Sequence, residues 1–188
     1  MDDLLAAALG QMAVLDETGA AVPLGRFWAP RPVVLAFVRH LGCIFCRQQV
    51  AGLSKRVPEI ERRGGTLVVV APARPEHIAG FRESTGYPGA LFVDPALRAF
   101  KTAGLVRGWA STYHPLAVLK GMGAMAQGFR QVGRQGDVVQ QGGTFVLGPG
   151  DRVHYEWRDR YAGDNPDLDE VVEALPSRQT TPHPGPLP

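Results

Sequence analysis

The chain has 188 residues, of which 45% are apolar and 20% charged, and this ordinary composition excludes a wholly disordered protein. At about 150 residues per domain, the length predicts one domain with some excess. The net charge of +2 comes from 20 basic and 18 acidic residues that are scattered along the chain. Nucleic-acid binding needs a basic stripe or patch, so no nucleic-acid partner is expected.

The longest apolar runs, residues 33–38 and 67–71, are far shorter than the roughly 18 residues that a membrane-spanning helix requires. The chain opens with Asp2 and Asp3, whereas a secretory signal opens with positive charge before a long apolar segment. We therefore expect a cytoplasmic protein with no membrane partner.

The first half of the chain predicts alternating strands and helices. A continuous apolar run is typical of a strand buried on both faces, and apolar positions three and four apart indicate a helix. The predicted elements are a helix over 3–9, a hairpin over 13–27 with its turn at 16–19, a buried strand over 33–38, a helix from Cys43 to the glycines at 64–65, and a strand over 66–71.

The second half continues this alternation and then changes to a hairpin. The predictions are a helix over 76–83, a strand over 90–93, a helix over 95–102 with Asp94 as N-cap, a helix over 115–129, strands over 144–147 and 153–157 around a turn, and a helix over 168–175. Residues 177–188 hold four prolines and no apolar periodicity, so this tail is expected to be disordered. The predicted domain is residues 1–176.

This order of elements predicts the fold. A β-α-β-α-β succession implies parallel strands joined by right-handed crossovers. A C-x-x-C motif between a buried strand and a helix, followed by a hairpin and a last helix, is the order of a thioredoxin-like fold. We expect an α/β protein with a central mixed sheet flanked by helices, an N-terminal hairpin and an insertion before the final hairpin.

The two cysteines of the chain, Cys43 and Cys46, form the C-x-x-C motif. Beside a βαβ pattern in a cytosolic protein, this spacing indicates redox chemistry. We expect Cys43 to be exposed at the helix N-terminus, where the macrodipole is worth about 0.3–1 kcal/mol and favours the thiolate. Cys46, one turn inward and buried, would resolve a mixed disulfide.

Positive charge near Cys43 would add to this effect. Arg39 is the strongest candidate, because a guanidinium beside a thiolate stabilises its charge directly. The predicted catalytic residues are therefore Cys43, Cys46 and Arg39. His40 is either a proton donor or acceptor or a plain loop residue, and Thr144 is either a substrate contact or an ordinary strand start.

C-x-x-C is also half of a zinc site, which needs two further ligands. The histidines of the chain show no H-x-x-x-H spacing; they stand at positions 40, 77, 114, 154 and 183. No metal or cofactor is expected, although a metal site shared across a dimer and a pair of inert thiols remain open.

Three segments carry a resemblance to a known family: V-V-L-A-F-V-R-H-L-G-C-I-F-C, G-A-L-F-V-D-P and Q-Q-G-G-T-F-V-L-G-P-G-D-R-V. From about residue 13 to 175 the chain resembles the peroxiredoxin-like 2 branch of the alkyl hydroperoxide reductase/thiol-specific antioxidant group. The resemblance implies a thioredoxin-like fold and a Cys43–Cys46 redox pair. It also implies a peroxide or disulfide substrate and a dithiol electron donor of thioredoxin type, and it leaves a homodimer open.

The chain departs from the usual active-site patterns. Peroxiredoxins carry P-x-x-x-T-x-x-C, and Ala36 and His40 occupy the proline and threonine positions here. Peroxiredoxins place an arginine just before the T-F-V strand, and thioredoxins a cis-proline; Gly142 and Gly143 stand there instead. Two other functions therefore stay open: a reductase of one organic substrate such as an endoperoxide, and a metal-binding or redox-sensing module without turnover.

Overall fold

The computed structural model describes residues 2–108 and 139–176, together with Met125 and Gly128 between them. The tail predicted over 177–188 lies outside these residues. The helix predicted over 115–129 lies outside them too, apart from Met125 and Gly128. The described helices are α1 (Asp2–Gly10), α2 (Gly25–Trp28), α3 (Ile44–Arg62), α4 (His77–Thr85), α5 (Arg98–Thr102) and α6 (Leu168–Glu173). The strands are β1 (Ala13–Leu15), β2 (Ala21–Pro23), β3 (Val33–Phe37), β4 (Thr66–Ala71), β5 (Ala90–Val93), β6 (Gly143–Gly148) and β7 (Arg152–Arg158).

The seven strands form one mixed sheet in the order β2-β1-β5-β4-β3-β6-β7. Strands β3, β4 and β5 run parallel, while β6 and β7 continue the sheet antiparallel beyond β3. The β1–β2 hairpin is joined to the far edge of the sheet through β5. The predicted thioredoxin-like class, with a mixed sheet, flanking helices and an N-terminal hairpin, is confirmed.

Both faces of the sheet are covered, as the continuous apolar run of β3 predicts. Val34 and Ala36 of β3 belong to the core cluster that holds residues of α3, α4 and α6. Val33, Leu35 and Phe37 point to the other face, where they pack with residues of α1, α2 and α5. Because β3 is central, its carboxyl end is held on both faces, and the segment that follows it carries the cysteines.

Two predicted elements are wrong in extent. The hairpin strand ends at Pro23 rather than at residue 27, because α2 begins at Gly25. The helix expected from residue 95 begins only at Arg98, because Leu97 adopts a left-handed φ of 56° that interrupts it. Asp94 still caps this helix from further away: its Oδ2 accepts a 2.7 Å hydrogen bond from the Ala99 N–H.

In the part of the chain that the structure describes, no helix has both the length and the apolar character needed to cross a bilayer.

Candidate functional site

The two cysteines lie where β3 passes into α3. Cys43 is the N-cap residue, with an extended backbone (φ −72°, ψ 129°), and its carbonyl accepts the first helical hydrogen bond from the Arg47 N–H at 3.0 Å. A tight turn precedes it, in which the Cys43 N–H donates to the His40 carbonyl at 3.1 Å. The turn therefore places the Cys43 sulfur at the open amide end of a 19-residue helix.

Cys43 is an acidic thiol. The Cys46 thiol donates a hydrogen bond to its sulfur, the Arg39 guanidinium lies beside it, and the N–H groups of Cys46 and Phe45 also point to it. Together they outweigh the effect of burial and lower the pKa of Cys43 to about 6. Arg39 donates from Nη1 to the Cys43 Sγ at 3.5 Å. At neutral pH, Cys43 is therefore mostly a thiolate, the reactive form.

Cys46 has the opposite character. It lies within the first turn of α3, and burial is the main reason that its pKa is raised, followed by its hydrogen bond to Cys43 and the charge of the Cys43 thiolate. Within the pair, the first cysteine is thus the ionised sulfur and the second is the protonated hydrogen-bond donor. Both are free thiols in this structure.

The expectation that Cys43 is exposed is wrong, since Cys43 and Cys46 are each only 2% exposed. The loop after β7 lies against the start of α3: its Ala162 and Asp164 are buried. A Cβ placed on Gly163 would come within 2.9 Å of the Phe45 ring, so the loop backbone approaches that ring closely. Exposure therefore does not distinguish the two cysteines, whereas charge does.

Arg39 is 4% exposed and is fixed on both sides. Its Nε donates to the Gln140 carbonyl at 3.2 Å while Nη1 reaches Cys43. A guanidinium held at two points loses little freedom when it contacts an anion. His40 is buried as well, and its backbone N–H points to Cys46 and lowers the pKa of that thiol.

Steric contacts explain why positions 142 and 143 are glycines in this chain. A Cβ on Gly142 would collide with the Phe37 carbonyl oxygen and lie 2.8 Å from Asp159 Oδ2. A Cβ on Gly143 would lie 2.6 Å from the Trp157 carbonyl oxygen. Neither position can hold the arginine or the proline that the related active sites place there. The adjoining Thr144 is fully buried, and its hydroxyl accepts a 3.1 Å hydrogen bond from Gln49 Nε2.

Asp159 is the site residue that sequence reasoning missed. It follows β7, is 2% exposed, and interacts electrostatically with both Arg39 and Cys43. In the sequence it stands between Arg158 and Arg160, which is the pattern of a solvated turn, and nothing local signals its burial. Burial, followed by the charge of Asp164, raises its pKa well above the usual range for a carboxyl group.

Among residues 2–108 and 139–176, no three His, Cys, Asp or Glu side chains converge on a point where they could hold a metal ion. The described part of the site is thus a thiol pair with one guanidinium and one buried carboxyl group.

Residues 52–161 match the family model of the AhpC/TSA antioxidant enzymes, a match that begins after the C-x-x-C motif. The chain is 34% identical over 182 residues to human peroxiredoxin-like 2C, covering 91% of this chain and 80% of that protein. It is 29% identical over 163 residues to the prostamide/prostaglandin F synthase of Danio rerio, covering 84% and 81%.

Among solved structures, the peroxidoxin BcpB of Mycobacterium tuberculosis superposes with a TM-score of 0.64 at 17% identity, covering 87% of this chain and 90% of that one. This likeness concerns the fold. The family model covers more than half of the chain, and the human relative is similar over nearly all of it. The chain therefore belongs to the AhpC/TSA antioxidant enzyme family, within its peroxiredoxin-like group.

Proposed function

We propose that the protein is a thiol-dependent peroxide reductase in which Cys43 attacks the peroxide and Cys46 resolves the product. The observation that carries the proposal is the Cys43 sulfur itself, with a pKa of about 6, a hydrogen bond from the Cys46 thiol, and Arg39 Nη1 at 3.5 Å. A nucleophile that is ionised at neutral pH and next to a protonated thiol is what a two-cysteine cycle requires.

The cycle has three balanced steps. The Cys43 thiolate attacks one peroxide oxygen; an S–O bond forms, the O–O bond breaks, and the leaving alkoxide takes up a proton as the alcohol. The Cys46 sulfur then attacks the Cys43 sulfenic acid, forming the disulfide and releasing water. An external dithiol of thioredoxin type reduces this disulfide and becomes a disulfide itself.

Arg39 has a specific part in the first step. Its guanidinium faces the sulfur from which negative charge moves to the departing oxygen, so it can stabilise both ends of that transfer. The Gln140 carbonyl holds it in place at 3.2 Å. In this proposal Arg39 takes the role that an arginine before the T-F-V strand has in peroxiredoxins.

Burial favours a small substrate over a folded protein. Cys43 is 2% exposed, so the disulfide of a folded protein would reach this thiolate only after the surrounding residues moved apart. A hydroperoxide or an endoperoxide, by contrast, presents a compact O–O bond. We therefore rank peroxides above protein disulfides as substrates.

The test is an assay in which thioredoxin and its reductase supply electrons and the loss of NADPH is followed. Hydrogen peroxide, an alkyl hydroperoxide, an endoperoxide and insulin disulfide are compared as substrates. We expect turnover with at least one peroxide, loss of turnover in Cys43→Ser, and a single turnover in Cys46→Ser. Insulin reduction without peroxide consumption would contradict the proposal, as would equal peroxide consumption by Cys43→Ser.

A further inference from the structure

The Asp159 carboxyl group is buried at the back of the thiol site. The Asp159 N–H donates to the Gly142 carbonyl at 3.0 Å, and the Gly142 backbone N–H donates in turn to the carboxyl group. Oδ2 lies 2.8 Å from the place that a Gly142 Cβ would take, so the missing side chain makes the room that the carboxyl group uses. Among the described residues, buried Oδ1 has no hydrogen-bond partner.

Three charged groups face this carboxyl group from the surrounding elements. Arg39, between β3 and α3, favours its ionisation, while Cys43 at the start of α3 and Asp164 in the loop after β7 oppose it. Asp164 is itself held by Arg160, with Arg160 Nε at 2.8 Å from its Oδ2. Since Arg39 is already bonded to the Cys43 sulfur and the Gln140 carbonyl, a second anion at Asp159 would be poorly compensated.

The charge at Cys43 changes during the proposed cycle, and the surroundings of Asp159 change with it. In the reduced protein Cys43 is an anion that opposes ionisation of the carboxyl group. In the disulfide the charge at Cys43 is gone. The carboxyl group then faces a guanidinium without the competing thiolate.

Resting on the proposed function, we propose that Asp159 is the proton store of the dithiol: its carboxyl group holds a proton while Cys43 is a thiolate and releases it when the Cys43–Cys46 disulfide forms. Asp159 is thus a positioning residue that acts through the charge at Cys43 and Arg39. It is distinct from the two cysteines, which exchange electrons with the substrate.

The proton balance follows directly. The disulfide protein, with Asp159 ionised, reacts with a donor dithiol; the donor becomes a disulfide and gives up two electrons and two protons. The electrons break the Cys43–Cys46 bond, one proton goes to the Cys46 sulfur and the other to Asp159, and the Cys43 sulfur is released as a thiolate. The total charge of −1 on these groups is the same before and after.

The test is the pH dependence of the Cys43–Cys46 midpoint potential from pH 5 to 9, measured by equilibration with a reference dithiol. Each proton taken up with the two electrons changes the equilibrium constant tenfold per pH unit, which is 29.6 mV. Above pH 6 we expect an interval in which wild type takes up close to one proton more than Asp159→Asn. Superimposable slopes over the whole range would overturn the proposal.

The matched control is Asp94→Asn, which removes another buried aspartate. Asp94 is 3% exposed, caps α5, and follows β5, two strands away from β3. We expect its slope to equal that of wild type, so a slope lost in both variants would also overturn the proposal.

A second measurement does not depend on the variant folding. Reduction of the wild-type disulfide should produce a new protonated-carboxyl band in the infrared difference spectrum, and the absence of such a band would contradict the proposal. Neither experiment requires peroxide. A protein that fails the NADPH assay but shows the extra proton would therefore refute the proposed function alone.

Discussion

The low pKa of Cys43 can be traced to one donor, because the hydrogen bond from the Cys46 thiol is the largest influence on it. Cys46→Ala removes that donor, and Cys46→Ser replaces it with a hydroxyl group. A hydrogen bond to a charged group is worth about 1.5–3 kcal/mol, and about 1.36 kcal/mol corresponds to one pKa unit. In Cys46→Ala the pKa of Cys43 should therefore rise by about one to two units, while in Cys46→Ser it should stay near 6.

The assay is alkylation of Cys43 as a function of pH, with thiolate ultraviolet absorbance as a second readout. Because Cys43 is buried, the midpoint of each profile is compared rather than the absolute rate. At pH 6 the ionised fraction should fall about 5- to 50-fold in Cys46→Ala relative to Cys46→Ser, given the shift above. Coincident midpoints for the two variants would refute the assignment of the low pKa to the Cys46 donor.

Three further predictions follow from the same site. Arg39→Gln should raise the pKa of Cys43 and Arg39→Lys should raise it less, since lysine keeps the charge near the sulfur; equal midpoints in pH-dependent alkylation would argue against the role of the guanidinium charge. The buried Asp159 has a raised pKa, so its contribution to stability is present below about pH 4 and is lost as the pH rises toward its folded pKa. In urea unfolding, the free energy of unfolding of Asp159→Asn relative to wild type should therefore increase by about 1.4 kcal/mol per pH unit above about pH 4. A difference that stays constant with pH would contradict this. Gly142→Ala should lower the melting temperature, because its Cβ would meet a backbone carbonyl and Asp159 Oδ2. Overpacking costs about 1–3 kcal/mol, and each kcal/mol lowers the melting temperature by roughly 2–4 °C in a chain of this length. An unchanged melting temperature would show that the backbone around Gly142 can shift to accept the methyl group.

Local patterns were sufficient for most of the framework. Residues 66–71 and 90–93 are strands with the predicted bounds. Their apolar composition is typical of strands in the core, and most of their side chains are buried. The helix after Cys43 was predictable for a similar reason: Val50, Leu53 and Ile60 recur at helical spacing and are all fully buried. The C-x-x-C motif predicted a thiol pair, because two cysteines three positions apart at the start of that helix lie close together.

The electrostatics of the site were decided by contacts that are distant in sequence. Arg39 is held by a carbonyl 101 residues away, and the carboxyl group that faces it comes from Asp159, at the end of the strand next to β6. Cys43, which the sequence pattern predicts to be exposed, is buried, and the loop after Asp159 lies against Phe45 in the same first turn of α3. Periodicity and spacing determine which residues form a strand or a helix, because those interactions are local. Burial and charge at Cys43 depend on which distant segments the sheet brings together, and only the tertiary structure decides that.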